Sequence, residues 1–225
     1  MAAGRTSKPE GERGSTSRDP EGTKAAILAA ATREFTDKGF GGARIDAIAA
    51  QARINKRMLY HYFGDKEALY LAVLEAAYGA IRNAEAELDL AHREPEEGLR
   101  ELVQFTFRYF LDHPEFLSLL NTENMLKAKF LRRSERIVAM NSPLIDELRG
   151  VLERGAAKGV FRAGTDPLDV YLTMAALGFF YLSNRWTLST VFRRDLVAKG
   201  EIVRWGEHIA DVVLRSLEPA ETGTA

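Results

Sequence analysis

The 225-residue chain contains no cysteine. Disulfides, thiolate catalysis and Cys-ligated metals are therefore excluded. Its four histidines, His61, His92, His113 and His208, show no paired metal spacing such as His-x-x-x-His. There is no Gly-x-Ser-x-Gly nucleophile turn and no Gly-Lys-Ser/Thr phosphate loop. The expectation is a protein that is not an enzyme and carries no cofactor or metal. Long apolar runs are missing too. The longest charge-free stretch, Val170 to Asn184, falls short of the ~18 apolar residues of a membrane span. It reads as a helix buried on all sides. The N-terminus has no apolar secretory core, so a cytoplasmic protein without membrane partners is expected. Net charge is only −1, which by itself argues nothing about nucleic acid. Period-two alternation and internal repeats are absent, which removes β architectures and solenoids.

What is present is ordinary globular material, 46% hydrophobic and 28% charged, enough for one or two domains. The charge is unevenly placed. Through Lys66 there are 12 Lys and Arg against 8 Asp and Glu, and beyond it 19 against 24. A basic head on an acidic body suits a duplex-facing N-terminal part.

The pattern divides the chain at its punctuation. Residues 1–22 are rich in Gly, Ser, Arg, Glu and Pro and are expected to be a disordered arm. Arg13 and Arg18 fit a minor-groove arm, whereas Glu10, Glu12 and Asp19 fit a solvated tail of mixed charge. Residues 23–65 form the head, with a first helix from Thr23 to Lys38 closed by Gly39 in the C′ role. Asp65 is placed to cap a connecting helix over 66–89. Residues 90–218 form the body and 219–225 a loose tail. In the body, Pro95 opens a helix whose polar stripe, Glu97, Glu101, Gln104, Arg108 and Asp112, is so thin that the helix must be mostly enclosed. A short helix follows from Glu115 to Asn121. Another is expected to restart at Asn141-Ser142-Pro143 and to stop at Gly159, one more runs from Asp166-Pro167 through Trp186, and the last spans about Glu201 to Leu217. The basic run Lys127, Lys129, Arg132, Arg133 and Arg136 reads as a solvated face.

The segment from Arg44 to Leu69, RIDAIAAQARINKRMLYHYFGDKEAL, carries the sharpest signal. Ile45, Ile48 and Ala49 share one helical face, and Ala52-Arg53-Ile54 breaks the period. Asn55 fits an N-cap for a helix from Lys56 to Phe63, of which Leu59 and Phe63 face inward. Lys56, Arg57, Met58, Tyr60, His61 and Tyr62 are left on the other faces. A two-turn helix with cations and phenols outside fits the DNA major groove.

This segment resembles the helix-turn-helix of the tetracycline-repressor (TetR) family of bacterial transcription regulators. The resemblance rests on Ile48-Ala49, Ala52, Ile54-Asn55, Leu59-Tyr60, Tyr62-Phe63, Lys66-Glu67 and Leu69. Upstream, Ile27-Leu28, Ala30-Ala31, Phe35 and Gly39-Phe40 resemble the family's first helix and its stop. It implies an all-α fold: a three-helix DNA-binding head, then a larger helical body that binds a small molecule and dimerises. It also implies DNA contacts from Arg44, Asn55, Lys56, Arg57, Met58, Tyr60, His61, Tyr62 and Lys66. Lys56 and Arg57 suit guanine edges; Tyr60, His61, Tyr62 and Lys66 suit phosphates. Two residues depart from the family pattern. Arg53 stands where Gly is usual, at about 1 kcal/mol if φ is positive there. Ala43 and Arg44 stand where Ser or Thr often caps, at ~1 kcal/mol.

The body offers composition rather than motif. Phe105, Tyr109, Phe116, Leu120, Asn121, Asn124, Met125, Met174, Leu177, Tyr181 and Asn184 fit a cavity for a largely apolar or aromatic effector, and fit packed core equally well. The amides Asn121, Asn124 and Asn184 are the more pointed candidates, because a buried amide needs a partner. A dimer seam is expected from Ala175, Gly178, Phe179, Leu182 and Trp186 on one helix and Trp205, Ile209 and Val213 on the last. The reading is a homodimeric, ligand-responsive regulator, a repressor released from a palindromic operator by a small-molecule inducer. The rival is a helical small-molecule binding protein or enzyme whose head is merely structural; operator binding separates the two.

Overall fold

The computed structural model describes residues 19–219. The arm expected before them and most of the expected tail lie outside the described residues. Nine α-helices follow in order: α1 Pro20–Gly42, α2 Ile45–Gln51, α3 Lys56–Phe63, α4 Lys66–Ala86, α5 Pro95–Asp112, α6 Pro114–Met125, α7 Glu135–Ala157, α8 Pro167–Phe192 and α9 Lys199–Arg215. Single 3-10 turns lie at Leu90–His92 and Leu131–Arg133, and no strand occurs among the described residues.

Local chemistry sets most helix starts. Asn55 accepts from the Met58 amide at 2.8 Å, Asp65 from Ala68 at 2.7 Å, Ser134 from Ile137 at 3.2 Å and Asp166 from Leu168 at 2.9 Å. Each satisfies a donor that the first helical turn leaves unpaired. Pro20, Pro95, Pro114 and Pro167 open their helices, where the missing amide costs nothing. Gly39, at φ 63°, breaks α1 one turn before its end.

Several boundaries differ from the sequence reading. Asp19 and Pro20 start α1 three residues early, so Pro20, Glu21 and Gly22 belong to the head rather than to an arm. The helix α6 continues to Met125 and α8 to Phe192. The largest difference is α7, which begins at Ser134 and runs straight through Pro143. Ile137 before the proline and Leu144 after it are both buried, each 5% exposed. Burial on either side holds the helix together across one lost hydrogen bond.

The apolar interior forms two clusters. One gathers Ile27, Phe35, Ile48, Leu59, Phe63, Leu69, Tyr70 and Val73 of the head, with Leu119, Phe130 and Ile137 of the body. The other gathers Leu99, Leu102, Phe107, Phe110, Leu148, Met174, Tyr181, Ile209 and Val213. The helix α4 belongs to both, through Leu69 to Leu74 and then Ile81. The head is therefore not closed by its own helices. Phe130 lies 4.5 Å from Phe40 and 5.0 Å from Tyr70, and Ser118 donates to the Thr36 carbonyl at 2.9 Å. The basic run Lys127, Lys129, Arg132, Arg133 and Arg136 is exposed throughout, as a solvated face is, and makes ion pairs at the surface. Lys129 and Arg133 both pair with Glu67, at 3.1 and 2.7 Å, and so strap the α6–α7 connection onto the start of α4. No helix among the described residues is long and apolar enough to cross a membrane.

Candidate nucleic-acid interface

The helices α2 and α3 meet at a tight turn. The Ile54 amide donates to the Ala49 carbonyl at 3.0 Å and the Arg53 amide to Ala50 at 3.1 Å. This pair of bonds is a Schellman stop, which puts its C′ residue in the left-handed region. That residue is Arg53, at φ 55°, so the departure from glycine does fall where backbone strain results.

The uncapped start of α2 is repaired from a distance. Arg44, its N-cap, makes no side-chain cap. Instead Glu34 of α1, 2% exposed, accepts from the Arg44 amide at 3.1 Å. Lys38 donates to both Glu34 oxygens at 2.8 and 3.0 Å, and Gln51 Nε2 lies 3.5 Å from Oε2. The Lys38 ammonium holds the Glu34 carboxyl below its ordinary range, against the opposing effect of burial. From the other side, Lys66 Nζ donates to the Ala43 carbonyl at 2.6 Å and sits 4.9 Å from the Phe40 ring centre. Its partial burial lowers its pKa. The corner between α1 and α2 is thus clamped on both its N–H and its C=O. Glu34 had a sequence signal: it is the charged member of the stripe Ile27, Ala30, Ala31, Glu34, Phe35, all of which are buried.

On α3, Leu59 and Phe63 point into the head core. Asn55, Lys56, Arg57, Tyr60 and His61 are exposed, while Met58 and Tyr62 are half-buried. The row of expected contacts is therefore brought together on one surface, with Arg44 exposed at its edge. Lys56 is tied to Asp46 of α2 at 2.9 Å, whereas Arg57 makes no ion pair among the described residues. The His61 and Tyr62 rings meet edge to face at 5.5 Å.

The body places its expected residues differently. Phe116, Met174 and Tyr181 are buried, and Phe105, Tyr109, Leu120 and Leu177 half-buried. Tyr109 stands 5.8 Å from Phe105 and 6.1 Å from Phe116, an aromatic wall. Tyr181 is a packing residue: it stacks on Trp205 at 4.9 Å and donates to the Leu196 carbonyl at 2.7 Å. Asn121, Asn124 and Met125 face outward, Met125 at 85% exposure. Asn124 and Asn184 each bond the carbonyl one turn back, Leu120 and Phe180, so neither amide is held for a guest. Of the expected seam, Gly178, Leu182, Ile209 and Val213 lie in the subunit's own core. Gly178 is needed there because a Cβ would stand 3.5 Å from the Phe107 ring. Trp186 is exposed, while Ala175, Phe179 and Trp205 are half-buried. Nor is α8 enclosed: Leu168, Leu172, Phe180 and Trp186 are 47, 54, 59 and 64% exposed.

Sequence reading overlooked a buried ion pair in the body. On α4, Arg82 Nη1 lies 2.7 Å from Glu85 Oε2, the two residues being 9 and 2% exposed. Arg82 Nη2 donates to the Tyr171 hydroxyl of α8 at 3.2 Å. Burial outweighs the neighbouring guanidinium and pushes the Glu85 carboxyl up to about 7.

A helical head with an outward cationic helix-turn-helix, joined to a larger helical body, defines a two-domain DNA-binding regulator. The comparisons give its family. Residues 27–73 match the family model for bacterial regulatory proteins of the tetR family, and residues 95–213 that for the tetracyclin repressor-like C-terminal domain. The chain is 42% identical to the HTH-type transcriptional repressor NicS of Pseudomonas putida over 195 residues, which are 87% of this chain and 92% of that one. It is 32% identical to the transcriptional regulator RutR of Escherichia coli K12 over 161 residues, 68% and 71% of the two chains. A regulator from Streptomyces coelicolor, SCO4942, superposes with a TM-score of 0.66 at 22% identity, over 87% of this chain and 98% of the other. The protein belongs to the TetR family of transcription regulators and binds DNA through its helix-turn-helix.

Proposed function

We propose that this protein is a homodimeric repressor that sits on a partly palindromic operator and leaves it when a small molecule enters the body. The observation that carries the reading is α3: Arg57, Tyr60 and His61 stand exposed on a helix whose base is fixed by Leu59, Phe63 and the Asn55 cap. The 42% identity to a repressor supports the sign of control. In this reading Arg57 reads a base edge, and Lys56 joins it when its exposed pair with Asp46 opens. Tyr60, Tyr62 and His61 hold phosphates, together with Arg44. Lys66, already on the Ala43 carbonyl, positions the corner that presents α2 to the backbone. Action on DNA places the protein in the cytoplasm.

The dimer forms through the outward face of α8. Leu168, Leu172, Ala176 and Phe180 recur every fourth residue, and Trp186 extends the stripe. An apolar patch of this kind on a lone subunit calls for a partner, and a second copy across a two-fold axis gives a four-helix bundle. The two α3 helices then stand about 34–36 Å apart, one DNA turn. The helix α4 shares both cores, as do α6 and α7, so effector binding in the body can change that spacing through them.

Gel shift on the protein's own upstream region, with light scattering in parallel, tests this. Wild type is expected to be dimeric and to retain a half-site pair at moderate salt. Phe180→Asp is expected to give monomers that lose the operator. Arg57→Ala is expected to relax base preference at one position per half-site, at about 1–3 kcal/mol. A dimeric Phe180→Asp variant would refute the seam, and absence of any retained fragment would refute the function.

A further inference from the structure

The Arg82–Glu85 pair leaves four buried atoms without a hydrogen bond: Arg82 Nε and Nη1, and both Glu85 carboxylate oxygens. Nη1 and Oε2 are close but not aligned as a hydrogen bond. Buried polar atoms are normally satisfied, because each unpaired one forfeits its water without return. Nη1 and Oε2 have only each other, as an ion pair at 2.7 Å, and Nε and Oε1 have no partner among the described residues, an unusual concession in a folded interior. The residues Arg82 and Glu85 line a 250 Å³ cleft between α4 and α7, with Asn83, Ala86, Met140, Pro143, Leu144 and, at the rim, Glu147. The larger 550 Å³ groove between α5 and α9 has no such group; its polar residues, among them Gln104, Arg108 and Glu207, are half-buried or exposed.

We infer that Arg82 and Glu85 are the polar anchor for the effector, and that the effector presents a carbonyl acceptor beside an N–H donor, an amide-type edge. The inference rests on the reading of the body as an effector-binding domain. The chemistry follows from what each edge would satisfy. A carbonyl oxygen takes the Arg82 donors while the adjacent N–H gives to a Glu85 oxygen, with no net charge added. A carboxylate alone would satisfy Arg82 but set an anion against Glu85, with Glu147 close by. An ammonium would satisfy Glu85 but face the guanidinium. An apolar guest would leave Nε and Oε1 with no partner, so the anchor adds a polar edge to the largely apolar effector expected from the sequence. The cleft volume limits the guest to about the size of one substituted ring, at the small end of ligand pockets. Because both residues lie on α4, the anchor acts directly on the helix that continues into the head core.

A ring-matched series isolates the edge: benzamide, benzoate, benzylamine and toluene, each titrated calorimetrically at millimolar concentration into the full-length dimer. Benzamide is expected to bind at least about tenfold more tightly than the other three, because a site built to hydrogen-bond rejects guests that lack the groups. Glu85→Gln, which preserves shape, and Arg82→Met are each expected to weaken benzamide about tenfold. The double variant Arg82→Met with Glu85→Leu is expected to lose benzamide binding while melting no lower than wild type, since apolar replacement of a buried pair seldom destabilises. Toluene binding as tightly as benzamide, benzamide affinity unchanged in both single variants, or no benzamide binding to wild type would each overturn the assignment. Operator retention by the ligand-free variants is measured alongside. Its loss in wild type would sink the repressor reading, whereas its persistence with no amide preference would sink only the anchor.

Discussion

Glu34 in the head and Glu85 in the body are both buried to 2% exposure, and the two could hardly be treated more differently. Glu34 in the head is bonded by the Arg44 amide and the Lys38 ammonium, and its pKa falls. Glu85 in the body has a guanidinium beside it but no aligned hydrogen bond, and its pKa rises to about 7. The first carboxylate builds structure: it stands in for a missing helix cap. The second weakens the fold around it, which is how groups kept for a ligand behave. The contrast is between sites: the body's other buried carboxylate, Glu123, accepts from the Phe130 and Leu131 amides, and of those described only Glu85 is left without an aligned partner.

The largest test of that contrast is a pH titration of stability for Glu85→Gln. The groups facing Glu85 are Arg82 on α4, Tyr109 on α5 and Glu147 on α7, while Tyr78 of α4 and Tyr171 of α8 face Arg82. A carboxyl raised in the folded state binds more protons folded than unfolded. Its contribution is therefore complete below its unfolded pKa and lost as pH climbs through about 7. Glu85→Gln should gain on wild type between pH 5 and 8, by up to ~3 kcal/mol in urea melts. Parallel curves for the two proteins would show that Glu85 is comfortably ionised. The opposite sign is expected in the head. Glu34→Ala leaves the Arg44 amide and Lys38 without their acceptor, and should cost about 2 kcal/mol of stability together with operator affinity. If Glu34→Ala melted like wild type, the remote cap would be ornamental.

Smaller effects sharpen the picture of the head. Arg53→Gly relieves a left-handed residue and should stabilise by about 1 kcal/mol, read from the urea midpoint. Operator affinity that fell despite this gain would show that Arg53, exposed beside α3, touches DNA. Asp46→Asn frees Lys56 from its 2.9 Å partner. It should tighten operator binding a few-fold at low salt, an advantage that fades as salt rises. Unchanged affinity would mean that Lys56 does not reach the duplex.

The recognition helix was legible because its cause is local. Asn55 caps, Leu59 and Phe63 are spaced one turn apart, and the residues between them have nowhere to go but outward. The same holds for Pro95 and Asp166 at the starts of α5 and α8. The body cleft was not legible because, although Arg82 and Glu85 stand one turn apart on α4, the groups around them are neighbours only after folding. Arg82 is brought to Tyr171 across 89 residues of sequence, and Pro143, a helix breaker read locally, lies in mid-helix beside the cleft. Asn121, Asn124 and Asn184 carried the amides that a pocket would want, yet none was enclosed with an unmet bond.

By itself, the sequence determined an all-helical chain with a basic helix-turn-helix head, because helical period, caps and charge placement act within a few residues. Tertiary structure alone decided which side of each apolar helix faces its own core. Between Asp169 and Arg185, α8 has no charged face to orient it, so Gly178 turned inward to admit Phe107 and Phe180 turned out. It also decided where the head ends. Phe130 and Ile137, more than 50 residues beyond the motif, complete the core on which the recognition helix stands, since side chains pack by distance in space and not in sequence.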